Sequence, residues 1–447
     1  MLRRLALVLL VLVSVSSFWR AEAVGNSLTI QGGQLLDVKT GKLHPNRRLV
    51  VEDGRIVALE IGAADSCRRS PANVCLTPQA LITPSFVDTH NHLDLSLGEE
   101  TFGEIANDPN AALGALSKLY LPYGVTHVRS AGNPLNLLGT FATLPKGDGR
   151  NIDFYPTGGA LTHLNTGFHN HTFYQSLSEL SDVFNTVKKR GARHVKLYNF
   201  IPESHLAFIV AKAREQDLAL MVHFEGNYVS IQAALKVGIK QFEHIKTLFT
   251  NQFYRFEEQF KDSPLSPDDD ENWLLREFEI FSLIGADSDL MAGLVEKFDH
   301  TVFLAPTLAV YKKPLDDLAA SAEEGAAPSP RSAKMERGYR ELEKLAAKLH
   351  EKGVKLVAGS DLEHPGEVII EEMRLLMKAG IAPADVFRIA TLNGAEALRI
   401  DAETGSLEPG KRANILIFDN NPIRQPAALQ KPVMVIKDGC RVSAEGE

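Results

Sequence analysis

The stretch Leu81-Ile82-Thr83-Pro84-Ser85-Phe86-Val87-Asp88-Thr89-His90-Asn91-His92 decides the fold. It is an apolar run of strand length that closes on two histidines one residue apart. Side chains at i and i+2 of a strand point to the same face, so two imidazoles at the end of one strand can grip one ion. A His-x-His alone is a weak signal. Its meaning depends on whether later strands bring further ligands to the same end.

Downstream, short apolar runs recur between helical patterns. They are Thr126-His127-Val128, Asp153-Phe154-Tyr155, His194-Val195-Lys196-Leu197, Ala219-Leu220-Met221-Val222, Gln241-Phe242-Glu243, Val302-Phe303-Leu304 and Lys355-Leu356-Val357-Ala358. Helical patterns cover 203–216, 229–237 and 334–351. Eight short buried strands separated by helices predict an α/β fold, a (β/α)8 TIM barrel over residues 81–400, rather than an open sheet. That architecture carries its chemistry at the C-terminal strand ends. His90 and His92 follow the first strand, Lys196 ends the fourth, His223 the fifth and His244 the sixth, and Asp361 follows the eighth. Each taken singly has a simpler reading, a hydrogen-bonded structural His or a helix-capping Asp. Their joint placement points to a metal centre.

The two ends of the chain have another character. Residues 24–80 are turn-rich and β-like, with Asp53-Gly54 between apolar runs as a hairpin signal, and residues 401–447 return to that style. They predict a small β-sandwich domain built from both ends. Before it, Arg3 and Arg4 precede an apolar stretch from Leu5 to Val15 and then Ala21-Glu22-Ala23. This is the plan of a secretory signal peptide over residues 1–23, too short to span a bilayer. A periplasmic or secreted protein with no membrane segment after cleavage is therefore expected. Export permits disulfides. Cys67 and Cys75 flank one loop and are candidates to pair, with Cys440 left over, although spacing alone does not decide the pairing.

Composition narrows the partners. A net charge of -8 with no basic block argues against nucleic acid. The acidic run 262–272, inside a long insertion over 245–300, and the Ala-, Glu- and Pro-rich run 315–332 are both predicted as surface loops, the first as part of a lid.

With these residues in place, the chain resembles the amidohydrolase superfamily, near its imidazolonepropionase and prolidase branch. The likeness is carried by Pro84–His92, Gly124–Arg129, Val195–Tyr198, Val222–Gly226, Phe242–His244, Ala305–Leu308, Gly359–Asp361, Ala390–Ala395 and Gly405–Asn414. The resemblance implies two divalent ions, zinc above manganese or cobalt. His90, His92 and Asp361 would hold the more buried ion, His223 and His244 the second, and a carboxylated Lys196 would bridge them. It implies a metal-bridging hydroxide attacking a C–N bond of an amide or dipeptide, with Asp361 moving the proton. The alternatives are a lactone or phosphotriester substrate on the same site, or a non-catalytic barrel scaffold that would have lost ligands. The family pattern also places a substrate-contacting His in the loop after the third strand, which makes His169 of Thr162–His171 a catalytic and substrate-binding candidate. Tyr198 and Tyr228 are further substrate candidates, with simple packing as the other reading. A small-molecule substrate is expected, and relatives of this type suggest a homo-oligomer. The chain departs from the family at Ser85, Ser130, Phe224 and Glu225, none of which is a ligand.

Overall fold

The computed structural model describes residues 20–22, 27–62, 67–98, 108–269, 272–322 and 327–443. Most of the predicted leader, residues 1–19 and 23, lies outside them; its remaining three residues form a short strand against the C-terminal end of the chain. In chain order the strands are β1 (Arg20–Glu22), β2 (Ser27–Asp37), β3 (Lys42–Glu52), β4 (Arg55–Ile61), β5 (Asn73–Pro84), β6 (Phe86–Asn91), β7 (Val125–Ser130), β8 (Asp153–Pro156) and β9 (Ala160–Thr162). They continue as β10 (His171–Phe173), β11 (His194–Leu197), β12 (Ala219–Val222), β13 (Gln241–Glu243), β14 (Phe303–Ala305), β15 (Lys355–Leu356), β16 (Ile415–Phe418), β17 (Met434–Lys437) and β18 (Cys440–Ser443).

The middle of the chain is α/β with parallel pairing. β6, β7 and β8 form one sheet, and β10-β9-β11-β12-β13-β14-β15 form another. All eight predicted strand positions are occupied. Every residue of β6, β7 and β11 is buried, as expected for parallel strands with helices on their flanks. β8 runs into β9 after three residues, and beyond β15 the chain returns to β6: Thr89 N donates to Ala358 O at 2.9 Å and Asp361 N to His90 O at 3.0 Å. The first strand is thus bonded to the segment that carries Asp361.

Both chain ends enter one further sheet of order β1-β18-β17-β16-β5-β2-β3-β4. The strands are joined into a single hydrogen-bonded sheet instead of the two separate layers of the expected sandwich. The reason is β5, which pairs parallel with β2 on one edge and antiparallel with β16 on the other. Alternate residues Leu28, Ile30, Leu49, Val51, Ile415 and Ile417 point to one buried face. Only Ser85 separates β5 from β6, so this sheet feeds directly into the strand that ends on His90.

The 245–300 insertion is mostly helical and contributes to the core. Helices Lys246–Arg255, Trp273–Ile284 and Asp289–Val295 bury Phe249, Phe253, Phe278 and Phe281. The described part of the acidic run, 262–269, is a loop between them. The second expected loop is shorter than predicted. Leu315 is buried within helix Leu308–Ala320, and helix Pro330–Glu351 starts under a Ser329 cap that accepts from Ser332 N at 3.1 Å. Cys67 and Cys75 form a disulfide and Cys440 is a free thiol. Among the described residues, no helix is long and apolar enough to cross a membrane.

Candidate metal centre

The C-terminal ends of the parallel strands converge on a cleft of about 310 Å³. Its lining includes His92, Lys196, Tyr198, His223, His244 and Asp361. At its base, one ligand atom from each of His90, His244 and Asp361 lies within 4.8 Å of the others. Asp361 Oδ1 is 3.8 Å from His90 Nε2 and 3.7 Å from His92 Nε2, and Asp361 Oδ2 is 3.7 Å from His244 Nε2. One carboxylate thus faces three imidazole nitrogens just beyond hydrogen-bond range. Lys196 Nζ stands 3.3 Å from His90 Nε2.

The imidazoles are oriented from behind. Glu243 Oε2 accepts from His90 Nδ1 at 2.5 Å, and Arg129 NH2 donates to Glu243 Oε1 at 3.0 Å. Thr307 donates its hydroxyl proton to Pro306 O, so its oxygen accepts from His244 Nδ1 at 2.8 Å. Both bonds leave the Nε2 lone pair turned toward Asp361, the tautomer a metal ligand needs. Asp88 anchors the floor: it accepts from the backbone N–H of His90 and of Ser360 and from the Tyr120 hydroxyl. A Cβ on Gly359 would come within 2.8 Å of His90 Cβ, so only glycine lets these two strand ends approach.

The backbone turns sharply where ligands leave the strands. His244, Thr307 and Asp361 all have positive φ, at 61°, 50° and 46°. Thr307, β-branched, carries the greatest cost, of order 1–3 kcal/mol. Such strain persists where the surroundings over-determine it, here by the His244–Thr307 bond and the Asp361 N–His90 O bond.

Burial sets the charge states. It pushes His90, His92 and His244 below the usual imidazole range, helped by nearby Lys196, which keeps them neutral donors. Burial also pushes Asp361 up to about 7, and it lowers Lys196, favouring the free amine. His92 Nδ1 is buried with no hydrogen-bond partner. Neutral imidazoles around a carboxylate at their focus fit a divalent cation.

Not every sequence candidate joins this cluster. His223 packs edge-on against His244 and tilted against Tyr198, with ring centroids 4.6 Å apart in each case, but its Nε2 donates to Glu225 Oε1 at 2.5 Å. Glu225 in turn pairs with Lys246 at 2.9 Å, and Lys246 with Glu277 at 2.6 Å. Tyr198 lines the cleft. Tyr228 does not: it is half-exposed and packs on Phe200. His169 is more than half exposed and lies 3.1 Å from Asp94 Oδ2 outside the lining, where His171, held by β10, takes its place. Sequence reading missed Glu243, Arg129, Thr307 and His171. The one available signal was period two, which puts His171 on the same side as His169.

Strand-end histidines and a carboxylate around a cation-sized focus, on a parallel α/β frame, form a candidate divalent-cation site. The profile of the amidohydrolase family matches residues 201–442, more than half of the sequence, and the chain belongs to that family. The matched span contains His223, His244 and Asp361; His90, His92 and Lys196 precede it. Adenine deaminase 4 of Rhizobium meliloti is 39% identical over 84 residues, 19% of this chain and 14% of that protein. Imidazolonepropionase of Brevibacillus brevis is 36% identical over 107 residues, 22% of this chain and 25% of that protein. The matched stretches thus span a quarter or less of these two relatives. Among solved structures, a Xaa-Pro dipeptidase with bound methionine superposes with a TM-score of 0.65 at 17% identity, covering 93% of this chain and 99% of that one. The ochratoxinase of A. niger gives 0.64 at 19% identity, covering 93% and 95%. These likenesses establish a shared fold.

Proposed function

We propose that the protein is an exported, metal-dependent hydrolase of a C–N bond in a small amide or dipeptide. The observation that carries this reading is the convergence of His90, His244 and Asp361 ligand atoms within 4.8 Å at the strand ends. We read the two parallel sheets as one closed (β/α)8 barrel. The β6 bonds to Ala358 and Asp361 and the near-continuity of β8 with β9 support this.

His90, His92 and Asp361 would hold one cation, His223 and His244 a second, and Lys196, carboxylated on its amine, would bridge them. Binding at His223 requires Glu225 to release the ring nitrogen, or to remain as an added ligand. When bound, two divalent cations lower the pKa of a water held near them and polarise the scissile carbonyl. The remaining work falls to the chain's own residues. Asp361 would take a proton on a carboxylate oxygen as the water attacks and return it to the leaving amine. Tyr198 and His171 line the cleft beside it and can orient the substrate. Arg129, through Glu243, keeps His90 in register.

The names of the relatives favour C–N chemistry above lactone or phosphotriester cleavage, and the His90, His244 and Asp361 cluster favours an enzyme above a scaffold. The leader reading and the Cys67–Cys75 disulfide support export. The test is metal analysis of the purified protein, followed by a screen of dipeptides, N-acyl amino acids and lactones. Two equivalents of zinc with turnover of an amide is expected. A metal-free, inactive protein, or turnover of lactones alone, would overturn the reading.

A further inference from the structure

A second cavity, of about 300 Å³, opens at the opposite, N-terminal ends of the parallel strands. His127, Lys146, Tyr155, Arg193, His194 and Arg412 contribute to its wall. Asp153 begins β8 and His194 begins β11, the strand that carries Lys196 two residues further on, while His127 is the third residue of β7. No step of the proposed reaction uses it.

Two observations give it chemical character. The first is an unpartnered ring nitrogen, a donor in the tautomer whose Nδ1 accepts the Thr126 hydroxyl proton while Thr126 Oγ1 accepts from Ser85. His127 is fully buried; its Nδ1 is bonded to Thr126 Oγ1 at 2.7 Å, while its Nε2 has no hydrogen-bond partner. Its nearest carboxylate oxygen, Asp153 Oδ2, is 3.6 Å away and already accepts from Arg412. Arg412 NH2 is likewise buried without a partner, although the rest of that guanidinium is engaged by Asp153 and Asp438. A buried polar atom left unpaired is costly, and in native structures a ligand, ion or water commonly satisfies it.

The second is charge. Beneath the cavity, Arg412 and Lys437 are balanced by Asp153 and Asp438. At its rim Glu403 is balanced by Arg55, 2.9 Å away. Lys146 and Arg193 remain. Among the described residues neither is within ion-pair distance of a carboxylate, and Lys146 Nζ lies over the Tyr155 ring at 5.5 Å. The wall therefore carries two uncompensated cations, an orphaned imidazole nitrogen and an orphaned guanidinium nitrogen. These donors outnumber the one carboxylate of the lining, Glu403, which Arg55 already engages.

We propose that this cavity is a binding site for a small oxyanion, a phosphate or carboxylate, seated between the sheet of the chain ends and the parallel body. His127 Nε2 and Arg412 NH2 would bond it from below, and Lys146 and Arg193 would close over it from the rim. The inference stands independently of the hydrolase reading.

The test is titration calorimetry of the metal-loaded protein with inorganic phosphate at fixed ionic strength, with chloride as the control anion. The partner experiment uses the double variant Lys146→Gln/Arg193→Gln, whose changes are at exposed positions. Expected are saturable one-to-one binding by the parent, about tenfold or more weaker binding by the variant, and equal turnover of both proteins. Absence of saturable binding, or a chloride signal equal to that of phosphate, would overturn the proposal. Equal phosphate affinity in the double variant would overturn it too, by locating the bound phosphate elsewhere, at the metal centre above all.

Discussion

Glu243 Oε2 lies 2.5 Å from His90 Nδ1, and both side chains are fully buried. The same carboxylate receives the Arg129 guanidinium, which also bonds Gln241 Oε1 and Thr89 O. A carboxylate behind an imidazole fixes the ring's orientation and raises the basicity of its far nitrogen. Glu243→Gln keeps the shape and removes the charge. We expect metal affinity to fall by about 10- to 100-fold, read by competition with a chromogenic chelator, with secondary structure unchanged by circular dichroism. Unaltered affinity would show that Glu243 only neutralises Arg129.

How much of this was legible in the sequence follows from where each residue stands. The eight body strands could be found because buried parallel strands are short apolar runs with helices between them. The candidate ligands could be placed at one end of the body because strand ends are marked: His90-x-His92 after Val87, His244 after Phe242, Asp361 after Gly359-Ser360. The supports were harder. Glu243 reads as an ordinary polar residue, and only a side-chain contact between β13 and β6, 153 residues apart, brings it to His90. His169 and His171 are equivalent on paper; three residues of β10 pairing with β9 decide which one faces the cleft. The single sheet of the chain ends was hidden for a related reason. The partnership of β5 with both β2 and β16 joins residues more than three hundred positions apart.

Lys196 is placed to bridge two ions only if its amine is carboxylated, and burial favours the neutral amine this requires. Lys196→Ala should lower the metal content from two equivalents to one or fewer, measured by plasma mass spectrometry on dialysed protein. Propionate added at high concentration should restore part of the second equivalent by supplying the missing carboxylate. A variant that keeps two ions without propionate would remove Lys196 from the bridge.

Asp361 faces three imidazoles through one carboxylate, and its proton affinity is raised to about 7. Asp361→Asn retains the shape but cannot shuttle a proton. Loss of general acid–base catalysis predicts a fall in kcat of about 10²- to 10⁴-fold, with KM changed far less. Metal analysis of the same sample separates the two duties of the residue: lost metal would implicate ligation, and retained metal with lost turnover would implicate the proton. Full activity of the variant would exclude both.

A buried carboxyl behind the Thr307 turn gives a stability signature. Glu372 is fully buried; its Oε2 accepts from Ala309 N at 2.9 Å, its Oε1 has no partner, and burial raises it from an ordinary 4.5 to about 7. Between those two values the folded state binds more protons than the unfolded state, so stability must fall as pH rises through the window. The separation corresponds to roughly 3 kcal/mol, fully lost above about pH 7. Glu372→Gln resembles the protonated form and cannot ionise. The variant should therefore match the parent near pH 4 and exceed it by about 3 kcal/mol at pH 8, read from urea unfolding midpoints across that range. All other titrating groups are common to both proteins and drop out of the difference. Parallel curves would mean that the carboxyl ionises in place with its charge compensated, and that the orphaned Oε1 carries no cost.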